Sequence, residues 1–137
     1  MGIELVDMPI RNEAEIEREF VTFAGDPNGG LIFPSDVFTV AHRARIIEVA
    51  NDRRIPTVFP YWYYAVDGGL ASYSPSQLIE FGQAAYFVDR ILHGEKPADL
   101  PVQTPNKYEL VINSKTAKAL GIDISPTLLA TADQVIE

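Results

Sequence analysis

Leu31-Ile32-Phe33-Pro34-Ser35-Asp36 and Thr57-Val58-Phe59-Pro60-Tyr61-Trp62 decide how this chain folds. Each opens with a short apolar run, is stopped by proline, and shows no alternation of polar with apolar residues. Strands of that kind are covered on both faces, as in a parallel sheet. Parallel neighbours need a crossover, and the chain between the two runs supplies one. Ser35 or Asp36 caps a helix that carries Val37, Val40, Ala44 and Ile47 on one side, and Pro56 closes the connection.

Toward the N-terminus, Ile3 to Pro9 alternates loosely and reads as a strand ended by Pro9. Asn12 is a candidate N-cap with Glu15 three residues on, and Ile16, Phe20 and Phe23 follow at helical spacing. Gly25-Asp26-Pro27-Asn28-Gly29-Gly30 ends that helix as a C-cap and turn. It lacks the Gly-Lys-Ser/Thr close of a phosphate loop and comes before a strand, not a helix. The alternation predicts an α/β protein with a parallel, doubly wound, Rossmann-like sheet and right-handed crossovers.

Beyond Gly68-Gly69 the pattern changes. Leu70 to Tyr73 is strand-like, and one long helix runs from about Ser76 to His93. Leu78, Phe81, Ala85, Val88 and Leu92 lie along a single stripe of it. Tyr108 to Asn113 is a further strand. Ser114 caps a short helix that ends at Gly121, and Ser125-Pro126 opens a last one.

With 137 residues the chain fits one domain and can bury a core. No apolar run is long enough to span a membrane. The formal charge of -8, with eleven scattered Lys and Arg, argues against nucleic acid, whose phosphates need a cationic footprint. The absence of cysteine removes disulfides and thiolate chemistry together. Met1-Gly2-Ile3-Glu4-Leu5 has none of the marks of a signal peptide. Two histidines support no metal site: His42 falls inside a helix, and His93 suits a helix C-terminus. No nucleophile elbow and no base–nucleophile pair is present, so an enzyme is not expected, and neither is a cofactor.

Pro60-Tyr61-Trp62-Tyr63-Tyr64 remains. Consecutive side chains diverge, so four adjacent rings cannot all enter a core. In an open α/β sheet the loops after the carboxyl ends of strands line the ligand crevice, which puts Tyr61 and Trp62 there as stacking walls. The other reading packs two rings beneath the loop and turns two to a partner chain. Ser35 and Asp36 share that edge, where Asp36 offers an amine a carboxylate. Plain N-capping satisfies the same two residues.

Several motifs resemble, in order, the substrate-binding proteins of a bacterial ABC-transporter family. They are Gly68-Gly69-Leu70-Ala71-Ser72-Tyr73, Val88-Asp89-Arg90-Ile91-Leu92-His93-Gly94, Pro97-Ala98-Asp99-Leu100-Pro101-Val102 and Leu110-Val111-Ile112-Asn113. Thr116-Ala117-Lys118-Ala119-Leu120-Gly121, the Phe38 to Ala50 helix and Leu128 to Asp133 are also similar. The resemblance implies the fold of type I periplasmic binding proteins, in which two α/β lobes joined by crossing strands hold a small molecule between them. It implies a periplasmic parent, an ABC permease as partner, and aromatic amino acids among the family's ligands.

On that layout the chain is a single partial unit. Residues 1–70 and 106–137 resemble an incomplete C-terminal lobe, and 71–105 the hinge strand and a helix that would pack on an N-terminal lobe. Ser35, Asp36, Tyr61, Trp62 and Tyr73 are then the expected ligand-binding residues. Ser74-Pro75-Ser76 departs from the family's more usual Gly-Pro-Asp. A unit lacking its facing lobe leaves the 76–93 stripe wet, at roughly 25 cal/mol per Å². A homodimer that covers it is therefore expected. The alternative function is a truncated paralogue that self-assembles and carries no transport substrate.

Overall fold

A computed structural model describes residues 2–24 and 28–137. Helix α1, Glu13–Phe23, begins where Asn12 accepts the Glu15 N–H at 3.1 Å through Oδ1, and it buries Ile16 and Phe20 completely. The turn expected at Gly25 to Gly30 begins with residues outside the described ones. Strand β1, Leu31–Ile32, leads to Asp36, whose Oδ1 accepts the backbone N–H groups of Phe38 (2.8 Å) and Thr39 (3.2 Å). Of the two candidate caps it is Asp36 that caps α2, Val37–Ala41. The single helix expected here is interrupted at His42, and α3, Arg43–Asp52, follows. Ile46, Ile47, Val49 and Ala50 of α3 face the core, whereas Val37 is exposed.

Strand β2, Thr57–Phe59, passes into a short helix α4, Trp62–Val66, where a loop was expected. Then come β3, Ala71–Pro75, the long α5, Gln77–Leu92, a 3-10 turn at Pro97–Asp99 and β4, Tyr108–Asn113. Helix α6, Ser114–Leu120, is capped by Asn113, not Ser114, through the Thr116 N–H at 3.0 Å, and stops at Gly121 with φ +75°. Helix α7, Pro126–Thr131, is capped by Ser125, and β5, Gln134–Ile136, closes the chain.

The five strands lie in sequence order, β1-β2-β3-β4-β5. Three of the four pairings are parallel, and β3 with β4 is antiparallel. The parallel α/β sheet expected from the alternation is the observed architecture, with one antiparallel pair added where the chain returns after α5. Ile3 to Pro9 corrects the reading of a first strand. These residues are in no regular element, and Ile3, Leu5 and Val6 are exposed. Among the described residues no strand pairs with this segment, and β1 stands at the edge of the sheet.

The two faces of the sheet differ. One carries Leu31, Phe33, Thr57 and Phe59 against α1, α3 and α4, and holds the core. Its rings stack in sequence: Phe33 on Phe59 at 5.3 Å between centroids, Phe59 on Tyr64 at 4.8 Å. Gly69 is where that column leaves no room, because a Cβ there would come within 2.6 Å of the Phe59 ring. The other face carries a row in strict register, Ile32, Val58, Ala71, Ile112 and Val135, one from each strand. Its cover thins from Ile112, which is buried, to Ile32, which is 74% exposed.

Helix α5 buries nothing. Leu78 (84% exposed), Phe81, Tyr86, Val88 and Leu92 (80%) all face solvent. His93 caps its end and donates from Nδ1 to the Asp89 carbonyl at 2.8 Å, the C-terminal place expected of it. The accessible surface is 9373 Å² for 15.2 kDa. A compact monomer of that mass exposes roughly 7,100 Å². The excess, on the order of 2,000 Å², is surface that a compact chain of this mass would bury.

Candidate functional site

Strand ends β1, β2 and β3 converge on an open cleft of about 380 Å³. Phe33, Pro34 and Ser35 come from the end of β1, Pro60 and Tyr61 from the end of β2. Tyr73, Ser74 and Pro75 come from β3, and Gln77 and Glu80 from the first turn of α5. For β1 and β2 this is the carboxyl edge, where sheets of this kind take their ligands. Three prolines leave few backbone N–H groups in the wall, so its polar contacts must come from side chains.

The proline that stops each strand sets this geometry. Pro60 ends β2 and turns the chain so that Tyr61, in extended conformation, precedes the first turn of α4. Tyr61 therefore stands at the rim of the aromatic column, its ring 5.3 Å from Tyr63 and 6.5 Å from Tyr64. Its hydroxyl is hydrogen bonded to Ser35 Oγ, which locks the ends of β1 and β2 together across the cleft floor. Tyr64, fully buried, anchors the column, and burial pushes its phenol pKa up, as it does that of Tyr63.

The turn behind the site is tied down from three sides. The Gly68 carbonyl accepts from Asn51 Nδ2 of α3 at 3.0 Å and from Thr116 Oγ1 of α6 at 2.9 Å. Asn113 Nδ2 donates to the Ala65 carbonyl at 2.9 Å. Arg43 bridges to Asp67 at 2.7 Å and lies over the Tyr63 ring. These bonds hold α4, and with it Tyr61, against β3 and β4.

Of the five expected ligand residues, the fold brings three to the cleft: Ser35, Tyr61 and Tyr73. Asp36 and Trp62 stand outside its lining. Asp36 has turned its Oδ1 to the N-terminus of α2, and Trp62, 45% exposed, opens α4 with its edge on Tyr63. Of the aromatic run, Tyr64 is core, Tyr61 lines the cleft and Trp62 faces outward. Phe33, Gln77 and Glu80 were not anticipated. Phe33 was legible as the last residue of a buried strand. Gln77 and Glu80 look on a helical wheel like ordinary solvated positions, and only the turn between β3 and α5 brings them in. Tyr73 also stacks on Tyr108 of β4 at 5.4 Å, which stiffens the wall it forms.

The profile of the ABC transporter substrate binding protein family matches residues 1–136. A curated tyrosine-binding protein of Clostridioides difficile (strain R20291) is 26% identical over 123 residues, covering 87% of this chain and 34% of that protein. The crystal structure of an ABC domain in complex with L-tryptophan from Streptococcus pneumoniae is 27% identical with a TM-score of 0.77, covering 90% of this chain and 42% of that one. A conserved domain protein from Vibrio cholerae is also 27% identical with a TM-score of 0.77, over 89% and 41%. The chain thus spans about a third of the curated relative and about two fifths of the solved structures. On a match that runs along the described sheet from end to end, the chain belongs to the ABC transporter substrate binding protein family.

Proposed function

We propose that this chain is the C-terminal-lobe portion of a periplasmic solute receptor whose cleft takes a small aromatic molecule for an ABC importer. Residues 1–70 and 106–137 form the lobe, and 71–105 form the hinge strand and a helix that meets a facing lobe. Ser35, Tyr61 and Tyr73 contact the ligand, Asp36 sets the position of Ser35 by capping α2, and Trp62 stands at the rim. The observation that carries the reading is the cleft at the strand ends, walled by the Phe33, Tyr61 and Tyr73 rings. The tyrosine-binding and L-tryptophan-bound relatives support an aromatic ligand. No bond is broken. Closure of two lobes around the ligand is the signal a permease reads.

A titration of the isotope-labelled chain with L-tryptophan tests this. Amide shifts confined to residues 33–35, 60–61 and 73–80 are expected, with weak affinity in the millimolar range because half the walls are contributed from elsewhere. Unperturbed cleft amides at the ligand's solubility limit would remove the receptor reading.

The exposed face of α5 supports a second reading, in which two copies cover each other and the chain acts as a self-assembling module. A homodimer through α5 and the β1 edge is compatible with either role.

A further inference from the structure

We propose that Glu80 is the ammonium-binding residue of the cleft, and that it selects aromatic amines over aromatic acids. The inference rests on the receptor reading above and names the charge class of its ligand.

Among the described residues that line the cleft, Glu80 is the one that carries a formal charge. The others offer rings, proline faces, four hydroxyls on Ser35, Tyr61, Tyr73 and Ser74, and the Gln77 amide. Nothing described lies in ion-pair or hydrogen-bond contact with the Glu80 side chain, whereas many acids elsewhere are paired. Glu15 and Glu19 are paired with Arg18, Glu17 and Glu48 with Arg45, and Glu95 with Arg90. Glu80 and Gln77 are three residues apart on α5 and so project from one side of its first turn. A carboxylate and an amide carbonyl there offer an ammonium two acceptors. The Tyr73 and Tyr61 faces beside them stack on a ring or attract the cation itself.

The cleft discriminates in the opposite sense against acids. No Lys, Arg or His lines it among the described residues, so a ligand carboxylate would meet hydroxyls at best and the Glu80 charge at worst. The chain's formal charge of -8 adds to that repulsion and draws cations in. An amino acid satisfies one end here and leaves its carboxylate for other walls. An aromatic monoamine satisfies this side fully.

Titrations of the whole chain with tryptamine, L-tryptophan and indole-3-propionate at neutral pH and low salt test the assignment. The expected order is tryptamine tightest and indole-3-propionate weakest. Glu80→Gln should weaken tryptamine by about tenfold and leave indole-3-propionate within about twofold, the loss of one charge-assisted contact. Glu80→Lys should invert the order. Asp123→Asn, which removes an equal charge outside the cleft, should change neither, and so separates contact from net charge. Equal binding of amine and acid, or tryptamine binding indifferent to Glu80→Gln, overturns the role of Glu80 and leaves the receptor reading standing. If none of the three ligands moves a cleft amide, the receptor reading falls and this inference falls with it.

Discussion

Helices α3 and α5 carry apolar residues at the same helical spacing and end in opposite environments. In α3, Ile46, Ile47, Val49 and Ala50 are all buried beneath α1 and the sheet. In α5, sixteen residues long, none is. The difference teaches that periodicity reports which side of a helix wants cover, not whether the chain itself provides it. The two sheet faces repeat the lesson. The core face is packed with stacked rings, and in the row from Ile32 to Val135 only Ile112 is buried.

Phe59 and Phe81 turn that contrast into a measurement. Phe59 is stacked on both sides and almost wholly buried, so Phe59→Ala should cost about 3–5 kcal/mol, enough to unfold much of the population. Phe81 on α5 is exposed, and Phe81→Ala should change stability by no more than about 0.5 kcal/mol. Urea denaturation followed by circular dichroism reads both. Similar losses at the two positions would break the distinction between a packed sheet and an unpacked helix.

Sequence patterns made the strand–helix alternation, the Asn12 cap, the α5 stripe and the Gly121 stop legible, because each is a local signal with a local cause. They failed where the cause is remote. Ile3 to Pro9 has strand composition, but no neighbour completes its ladder. The Trp62 to Val66 helix was hidden because its aromatic residues are weak helix formers, and contacts with β3 and β4 impose it. At the cleft, Ser35, Tyr61 and Tyr73 were legible from the strand-end rule and the family layout. Gln77 and Glu80 were not, since nothing in the helix start itself says that the Ser76 junction brings it to the cleft.

Association sharpens the comparison at a smaller energy. If α5 is covered by a second copy, light scattering should report a dimer at micromolar concentration. Replacing Leu78, Phe81 and Leu92 together by Gln should then raise the dissociation constant at least tenfold, about 1.4 kcal/mol, without altering the urea midpoint of the monomer. A well-folded monomer in the unsubstituted chain removes the homodimer and leaves the helix face to a facing lobe.

Tyr61 lies on the border between the two kinds of region and should show the smallest effect. Its ring belongs to the stacked column, 5.3 Å from Tyr63, while its hydroxyl belongs to the cleft through Ser35. Tyr61→Phe keeps the first and removes the second. A partly exposed hydrogen bond that water can replace contributes about 0.5–1 kcal/mol, so the loss of stability should not exceed that. The change in cleft shape should be the more visible result, since Ser35 then turns freely and the ends of β1 and β2 lose their tie. Tryptophan titrations would therefore weaken by a few fold while the denaturation curve hardly moves. A stability loss as large as that of Phe59→Ala would mean that the cleft floor is core, and that the open side of the sheet begins farther out than Tyr61.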